Sequence, residues 1–352
     1  MAVNPELVLL IPGLFGPRGA DEATLAAADM PARVLGRLLS RAEARAAAGD
    51  GLAAALFAAF GMDVQHADGL PEAPLRLRSD GGDPAGDYCL SADPVHLRVG
   101  QDRVVLTGAG TVSRAEAEAL CGEIAAHFAE TGIRLEAPAP ERWYLRLPQP
   151  PAAGFTPLEA VLGQDIRPHL PTGADARTWR RLLNEVQMLL HASEVNRARL
   201  ARGEVEINSV WFWGGGRLPP PGDCRFAQVW SDHPLARGLA LNAGLVPHPL
   251  PADAAAWGAV AAGGRHLIVL DRLVVAARLG AVEEWQETMR VLQERWLGPL
   301  WARLRAGRLA ALTIGGAGAF DYHIRPGQAR RWWRRARPFA AHARESRQGP
   351  EQ

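Results

Sequence analysis

The amino-acid sequence predicts an α/β fold in which a mostly parallel sheet is sandwiched by helices. Apolar runs of strand length alternate along the chain with longer segments whose apolar residues recur at helical spacing. One run, at positions 207–213, is β-branched and aromatic with little polarity, which is typical of a strand buried on both faces of a sheet. The chain has 352 residues, of which 48% are hydrophobic, so it can bury a large core in about two domains.

Three consecutive glycines follow that aromatic run and mark a candidate ligand site. In open α/β sheets, ligands bind beyond the carboxyl ends of the strands, and glycine lets backbone N–H groups approach an anion closely. The next residue is an arginine, whose guanidinium suits a phosphate or a carboxylate. The alternative interpretation is that the glycines only let the chain turn beneath bulky tryptophans. The residues predicted to bind a ligand here are Asn208, Trp211, Trp213, Gly214, Gly215, Gly216 and Arg217.

Composition excludes several classes of function. The formal net charge is +1, so no strong field draws the protein to nucleic acid or to a membrane surface. All 39 basic residues are arginines, which excludes P-loop, Schiff-base and Ser-Lys chemistry because each of these needs a lysine. The three cysteines, Cys89, Cys121 and Cys224, form no C-x-x-C pair. We therefore expect a cytoplasmic protein with no disulfide framework and no signal peptide.

The amino-terminal part of the chain predicts a strand, two helices and a loop. Residues 7–11 form a short apolar run that ends in Pro-Gly, as the first, central strand of a parallel sheet would. Apolar residues at helical spacing predict helices over 31–48 and 53–60. Residues 68–87 are rich in Gly, Pro and Asp, so we interpret them as a loop at a domain boundary.

The next segment predicts a small α+β subdomain inserted at 89–151. Ser113 precedes Glu116 by the three residues of a capping box, which marks the start of its helix. Asp93 and His96 place a carboxylate and an imidazole near the start of a strand, so both join the candidate ligand site, although Asp-Pro is commonly turn chemistry. The predicted order is ββαββ, with strands at 95–98, 103–107, 133–137 and 142–147 and the helix at 113–130.

After a proline-rich linker, strands and helices alternate again. The strand at 226–230 leads to Asp232-His233, which resembles a metal-ligand loop, but the helix that follows favours an N-cap role for Asp232. The strand at 266–270 leads to Asp271, which we add to the candidate ligand-binding residues. The other predicted elements are helices at 174–193, 235–243 and 282–305 and strands at 309–314 and 320–325.

Several stretches, in order along most of the chain, resemble the archaeal type of cofactor-independent phosphoglycerate mutase, within the alkaline-phosphatase superfamily. Positions 208–216 read Asn-x-x-Trp-x-Trp-Gly-x-Gly, as in that family. The chain is more similar still to a group of bacterial phosphoglycerate mutase-like proteins described as regulators of pathogenicity factors. The stretches shared with that group include Leu-x-Pro-Gly-Leu-Phe-Gly at 10–16, Ala-Asp-Pro-Val-His-Leu at 92–97 and Asn-Glu-x-Gln-Met-Leu-Leu-His at 184–191. The resemblance implies an alkaline-phosphatase-like fold.

The segments in which the mutases hold two metal ions depart from the family pattern. Pro-Gly at 12–13 replaces an Asp-Gly loop, and Asp-Met-Pro at 29–31 stands where the hydroxyl nucleophile is expected. Arg-Leu-Val-Val-Ala at 272–276 replaces a Gly-His and an Asp, and Gly-Gly-Ala-Gly at 315–318 replaces an Asp-His pair. Proline, valine and glycine side chains cannot bind a hard divalent ion. The comparison with the family therefore implies no metal and no cofactor.

The function that follows is that of a metal-free, non-catalytic phosphoglycerate mutase-like protein with a binding or regulatory role, whose expected partner is a small anionic ligand. One alternative is a protein that binds a protein partner and no small ligand. Another is an active mutase or phosphatase with displaced ligands. The side chains open to that second alternative are Asp232, His233, Asp271, Asp321 and His323.

The carboxyl-terminal segment carries the densest cluster of arginines, interleaved with tryptophans. Such a cluster can grip phosphates and stack on bases, but it is short and the chain is nearly neutral, so we expect no binding to double-stranded DNA. The spacing predicts a helix that ends at Pro338, with Trp332 or Trp333 turned toward the sheet. The expected domains are an α/β core at 1–88 and 152–338, the subdomain at 89–151 and a frayed tail at 339–352.

Overall fold

The structure, a computed structural model, describes residues 4–17, 19–21, 23–24, 32–64, 69–84, 86–316, 318–331 and 333–348. The chain divides into two compact units. The first, which we call the split unit, comprises Met1–Val64 and Pro221–Gln352, and the second, the continuous unit, comprises Gln65–Pro220. These boundaries differ from the expected ones because the segment 152–220 pairs and packs with the predicted subdomain.

The strands and helices follow one another in the order that the sequence pattern indicates, with several additions. The strands are β1 Glu6–Leu10, β2 Glu43–Ala46, β3 Tyr88–Val99, β4 Val104–Gly108, β5 Arg134–Ala139, β6 Arg142–Leu147, β7 Ser209–Gly216, β8 Gln228–Trp230, β9 Arg265–Val269, β10 Ala311–Gly315 and β11 Phe320–Ile324. The α-helices are α1 Arg33–Arg41, α2 Gly51–Ala59, α3 Glu72–Ser79, α4 Arg114–His127, α5 Leu158–Val161, α6 Ala176–Ala192, α7 Glu194–Ala201, α8 Pro234–Asn242, α9 Ala254–Val260, α10 Leu273–Leu279, α11 Val282–Leu292, α12 Gly298–Arg305, α13 Pro326–Ala329 and α14 Phe339–Gln348. A π-helical turn, Gln293–Leu297, joins α11 to α12.

The split unit is built on a six-stranded sheet in the order β2-β11-β10-β1-β9-β8. Strands β10, β1, β9 and β8 are parallel, and β11 and β2 are antiparallel to their neighbours. The predicted first strand is central, because β1 pairs on both edges and its Leu7 and Leu9 are fully buried. Helices supply the rest of the core through Trp257, Trp285 and Leu300. The predicted fold class, a mostly parallel sheet covered by helices, is confirmed.

The continuous unit contains an antiparallel sheet organised around the long strand β3. Strands β4 and β6 pair with β3, β5 pairs with β6, and β7 pairs with β3 as well. Helices α4 and α6 cover one face of this sheet with a core that includes Leu120, Leu183 and Phe212. The predicted ββαββ order is confirmed, and α4 begins at the predicted capping box, in which Ser113 and Glu116 bond each other's backbone.

Two expectations about the aromatic run and its glycines are wrong. The run was expected in the parallel sheet, whereas β7 lies antiparallel to β3 in the continuous unit. The glycines were expected to form a loop, whereas they continue the strand, and Gly216 still pairs with Cys89. A buried β-branched and aromatic strand suits either kind of sheet, so composition could not distinguish them.

Other differences concern the elements around the strands. The helix expected over 31–48 ends at Arg41, and β2 follows it as an edge strand. The segment 68–87, expected to be a loop, contains α3, which buries Leu75 and Leu77 completely. The helix expected over 282–305 is interrupted by the π-helical turn, and α10 precedes it. No helix in the described ranges is long and apolar enough to cross a membrane.

The carboxyl-terminal segment also differs from expectation. Residues 339–348, expected to be frayed, form α14, and Phe339 in its first turn is only 1% exposed. The ring of Phe339 lies 6.3 Å from that of Phe15 and 6.1 Å from that of Trp285, so aromatic packing orders this helix. Trp333 is 65% exposed, and Trp332 lies outside the described residues. The last four residues, 349–352, also lie outside them.

Candidate functional site

The predicted ligand-binding residues are divided between the two units: all but Asp271 lie in the continuous unit. In that unit the structure brings Asp93 and Trp213 together. They lie diagonally on the paired strands β3 and β7, and the indole Nε1 of Trp213 donates a hydrogen bond of 3.0 Å to Asp93 Oδ2. The sequence singled out both residues but did not predict this contact.

Arg76, which sequence reasoning missed, completes this cluster. Its Nη2 donates to Asp93 Oδ2 at 3.0 Å and its Nη1 to Ser91 Oγ at 2.6 Å. Its Cζ atom lies 4.4 Å from the centre of the Trp213 ring. Arg76 is 6% exposed and Asp93 is 3% exposed, so this is a buried ion pair supported by a cation–π contact. The sequence did carry one signal for the helix that holds Arg76: Ala73 and Leu77 are apolar residues at helical spacing on either side of it.

Burial also changes the protonation of the carboxyl groups in this cluster. Burial raises the pKa of Asp93, while the Arg76 guanidinium opposes that rise. Asp93 Oδ1 has no hydrogen-bond partner in the described part of the chain. Burial raises the pKa of Glu72, on the same helix as Arg76, to about 8, with repulsion from Glu159 adding to the effect and Arg76 opposing it. The cluster thus combines a buried ion pair with a second buried carboxyl group in the same unit.

The triple glycine permits close packing in this unit. A β-carbon on Gly216 would lie 2.4 Å from the β-carbon of Pro71, and one on Gly215 would lie 2.5 Å from the hydroxyl of Tyr88. A β-carbon on Gly214 would lie 3.1 Å from that of Glu72. The glycines therefore let the start of α3 pack directly on β7. Their backbone is part of a strand and is covered by this helix.

The other predicted residues of the continuous unit are engaged with the backbone. Asn208 bonds both the N–H and the carbonyl of Leu97, at 2.7 and 3.0 Å. His96 Nδ1 lies 3.0 Å from the carbonyl oxygen of Glu206. The remaining contacts run from Trp211 Nε1 to Thr156 O at 2.9 Å and from Arg217 Nη1 to Gly86 O. Each of these groups holds a strand or loop in place through its polar atoms.

In the split unit, a cavity of about 180 Å³ lies at the carboxyl edge of the parallel sheet. The residue after β1, Ile11, and the residue after β9, Leu270, form its floor, and Asp232 after β8 joins them. Its other walls are Leu250, Pro251, Ala252, Arg272, Leu273, Thr288, Val291, Leu292, Arg295 and Trp296. This edge is where open α/β sheets bind ligands.

Arg272 and Arg295 are the basic residues of this cavity, and sequence reasoning missed both as ligand contacts. Neither guanidinium forms an ion pair within the described ranges. Arg290, one turn earlier along the chain, is instead bound to Glu287 at 2.6 Å and to Glu294 at 2.7 Å. Arg272 adjoins the predicted Asp271, but the placement of Arg295 depends on the π-helical turn, for which the sequence carries no signal.

The acidic residues near the cavity have defined environments. Burial raises the pKa of Asp271, repulsion from Asp232 adds to the rise, and Arg272 opposes it. The expected N-cap role of Asp232 is wrong, since His233 occupies the N-cap of α8 and Asp232 Oδ1 accepts a hydrogen bond of 3.1 Å from Leu250 N. Asp232 therefore fixes the loop that forms one wall of the cavity.

The strand ends that correspond to the expected metal loops contain packed side chains. The carbonyl of Gly13 accepts a hydrogen bond of 2.9 Å from Trp285 Nε1, and a β-carbon on Gly13 would lie 3.0 Å from that of Ala277. His323 Nδ1 lies 3.0 Å from Thr313 Oγ1. Within the described ranges, no three His, Cys, Asp or Glu side chains form a group that could hold a metal ion. Positions 29–31 and 317 lie outside those ranges.

Parts of the chain are similar in sequence to curated phosphoglycerate mutases. A 2,3-bisphosphoglycerate-independent phosphoglycerate mutase from Methanothrix thermoacetophila is 29% identical over 164 residues, 41% of this chain and 41% of that protein. A probable 2,3-bisphosphoglycerate-independent phosphoglycerate mutase from Geobacter sulfurreducens is 35% identical over 94 residues, 25% of this chain and 24% of that protein. The chain thus matches less than half the length of either relative. No protein-family model matches it.

Solved structures extend the comparison to the fold. The PH0037 protein from Pyrococcus horikoshii superposes with a TM-score of 0.50 at 13% identity, covering 92% of this chain and 88% of that one. A cofactor-independent phosphoglycerate mutase from Thermoplasma acidophilum gives a TM-score of 0.47 at 15% identity, covering 100% and 96% of the two chains.

Proposed function

We propose that this phosphoglycerate mutase-like protein binds a small anion at the carboxyl edge of its parallel sheet and transfers no phosphoryl group. The observation that carries the proposal is the cavity whose wall contains Arg272 and Arg295, neither of which forms an ion pair in the described ranges. A guanidinium presents several donors in a fixed plane, which suits phosphate and carboxylate oxygens.

The shape and lining of the cavity limit the class of ligand. Its volume of about 180 Å³ suits a small metabolite rather than a polymer. Apolar walls from Leu250, Leu273 and Trp296 can contact a short carbon chain, while two guanidinium groups can bind two anionic groups. Because the curated relatives are named phosphoglycerate mutases, a phosphorylated hydroxy acid with one phosphate and one carboxylate is the first ligand to test.

The same residues disfavour phosphoryl transfer by a two-metal mechanism. That mechanism needs two divalent cations to neutralise the attacking and leaving oxygens, and each cation needs several oxygen or nitrogen ligands. The cavity presents one carboxylate, Asp232, and two guanidinium groups whose positive charge opposes a cation. The non-catalytic role proposed here therefore rests on the charges at the strand ends.

The binding proposal is tested by titrating 3-phosphoglycerate into the purified full-length protein by isothermal titration calorimetry. We expect saturable binding that weakens by about tenfold or more in Arg272→Gln/Arg295→Gln, because each charge-assisted hydrogen bond contributes about 1.5–3 kcal/mol. Arg290→Gln is the matched control, since that guanidinium lies on the same helical segment but is held by two glutamates. It should bind like the wild type.

Two results would contradict the proposal. One is equal binding by the wild type and the double variant, which would place the ligand elsewhere. The other is a roughly stoichiometric content of Mn or Zn accompanied by mutase activity, which would favour the alternative of an enzyme with displaced ligands. Thermal unfolding of each variant without ligand establishes that a loss of binding does not reflect a loss of fold.

A further inference from the structure

A second cleft, of about 770 Å³, lies in the split unit at the carboxyl-terminal arginines. Its walls come from the end of α1, from β2, from β11 and from the segment 334–345. We propose that this cleft binds a small molecule that carries a diphosphate group. This site is separate from the cavity beside Arg272 and Arg295, and it shares no lining residue with that cavity.

The balance of charge in the cleft favours an anion with more than one negative charge. Glu345 is bound by Arg337, and Glu43 is bound by Arg45 at 3.0 Å, so both carboxylates are already neutralised. Arg334 and Arg335 also line the cleft, and neither side chain forms an ion pair within the described ranges. Two adjacent guanidinium groups remain without a counter-charge.

Beneath these arginines, a buried histidine gives the cleft a polar floor. His342 is 4% exposed, lines the cleft, and has its Nε2 atom 3.0 Å from Ser40 Oγ. Ser40 Oγ in turn accepts a hydrogen bond of 2.8 Å from Arg337 N and lies 2.7 Å from Gly36 O, to which its hydroxyl donates. This network orients the imidazole ring. Because the Ser40 hydroxyl donates to Gly36 O, the ring Nε2 carries the proton and donates to Ser40 Oγ, and Nδ1 is a hydrogen-bond acceptor.

The histidine remains uncharged near neutral pH. Burial lowers the pKa of His342 to about 4, Arg337 acts in the same direction, and Glu345 opposes them. His342 therefore contributes no charge to the cleft, and the guanidinium groups of Arg334 and Arg335 contribute the positive charge. A diphosphate has enough oxygens to contact both arginines at the same time.

The size and depth of the cleft favour a small molecule over nucleic acid. Its volume lies within the range of about 300–1,000 Å³ that is typical of small-molecule sites. The buried floor, formed by His342 and the 4% exposed Tyr322, can be reached by a compact ligand. A duplex would contact only the rim.

The test is a calorimetric titration of the full-length protein with inorganic pyrophosphate at fixed ionic strength. We expect saturable binding that weakens by about tenfold or more in Arg334→Gln/Arg335→Gln, since the variant removes both unpaired guanidinium groups. The control is Arg308→Gln/Arg331→Gln, which changes the net charge equally at two exposed arginines that do not line the cleft. It should bind pyrophosphate as the wild type does.

The two anion sites are distinguished by titrating the variant of the first site with the ligand proposed for the second. Arg272→Gln/Arg295→Gln should retain pyrophosphate binding at the carboxyl-terminal cleft, so the failure of one proposal leaves the other testable. The proposal is overturned if the wild type shows no saturable binding at millimolar pyrophosphate, or if the control loses affinity as much as the cleft variant. Binding to a DNA duplex that depends on Arg334 and Arg335 and outcompetes pyrophosphate would also overturn it.

Discussion

At the scale of single residues, Arg76 and Asp93 show how a buried charge is tolerated in the continuous unit. The guanidinium donates one hydrogen bond to a carboxylate and one to a hydroxyl, and it also contacts an indole ring. Removing one partner of such a pair leaves the other charge buried without a counter-ion. The resulting loss of stability is larger than the net contribution of the pair to stability. The pair therefore fixes the arrangement of α3 on the sheet.

We predict that Asp93→Ala lowers the free energy of unfolding by about 3–5 kcal/mol, because Arg76 would remain buried without a counter-ion. Asp223→Ala removes the ion pair of Asp223 with Arg225, whose side chains are 71% and 74% exposed, and should leave the free energy of unfolding nearly unchanged. Urea denaturation followed by tryptophan fluorescence measures both. Equal effects of the two substitutions would show that the buried pair has no special role.

Glu72 gives a prediction about pH, because its pKa in the folded protein is about 8 rather than the usual 4.5. Between these values the unfolded chain loses the proton while the folded protein keeps it, so this group lowers stability as pH rises. Glu72→Gln cannot lose a proton. We expect the stability of the variant relative to the wild type to increase by roughly 2–4 kcal/mol between pH 5 and pH 9.

Denaturation of both proteins across that pH range measures the difference. The comparison isolates Glu72, because every other titrating group is common to the two proteins. A difference in stability that does not change with pH would show that Glu72 ionises in the folded protein as it does in water.

At the scale of elements, β7 and its glycines decide how α3 packs. Gly216 lies so close to Pro71 that a methyl group there would overlap it. A strand of β-branched and aromatic residues that ends in glycines thus provides a flat surface for the start of a helix. The same segment in a sequence alone is equally consistent with an anion-binding loop, so only the partner strand and helix distinguish the two.

We predict that Gly216→Ala destabilises the protein by about 1–3 kcal/mol, because the new methyl group would be forced against Pro71. Gly122→Ala is the matched control. It lies inside α4 with open space around the position of a β-carbon, so alanine should stabilise the protein there by about 0.5–1 kcal/mol. Thermal unfolding of both variants shows whether each substitution raises or lowers the stability of the protein. Stabilisation by both would contradict the packing role assigned to Gly216.

At the scale of the whole molecule, the sequence predicted best those elements that depend on residues close together in the chain. The apolar runs of β1 and β9 and the capping box of α4 depend on neighbouring residues, and the structure contains all three. The segment of α3 was missed because its flanking Gly, Pro and Asp residues dominate the local pattern. The order of the tail was missed because it depends on Phe339 packing against aromatic residues more than 50 positions away in sequence, such as Trp285.

The candidate site was predicted only in part for the same physical reason. Asp93 and Trp213 were both singled out from the sequence, but their hydrogen bond was not predicted, and Arg76 joins them through a helix that the sequence pattern concealed. At the carboxyl edge of the parallel sheet, Asp271 was identified from its place after a strand. Arg295 could not be identified, because its position in the cavity depends on one extra residue per turn in a π-helical segment.

The most direct test of anion binding without phosphoryl transfer is a phosphorus-31 NMR spectrum of 3-phosphoglycerate incubated with the purified protein and added Mg. We predict that the resonance of the ligand broadens and shifts on binding, that this change is lost in Arg272→Gln/Arg295→Gln, and that no new phosphorus resonance appears. A resonance of 2-phosphoglycerate or inorganic phosphate that grows with time would contradict the non-catalytic role. An unperturbed spectrum would contradict the binding of this ligand class.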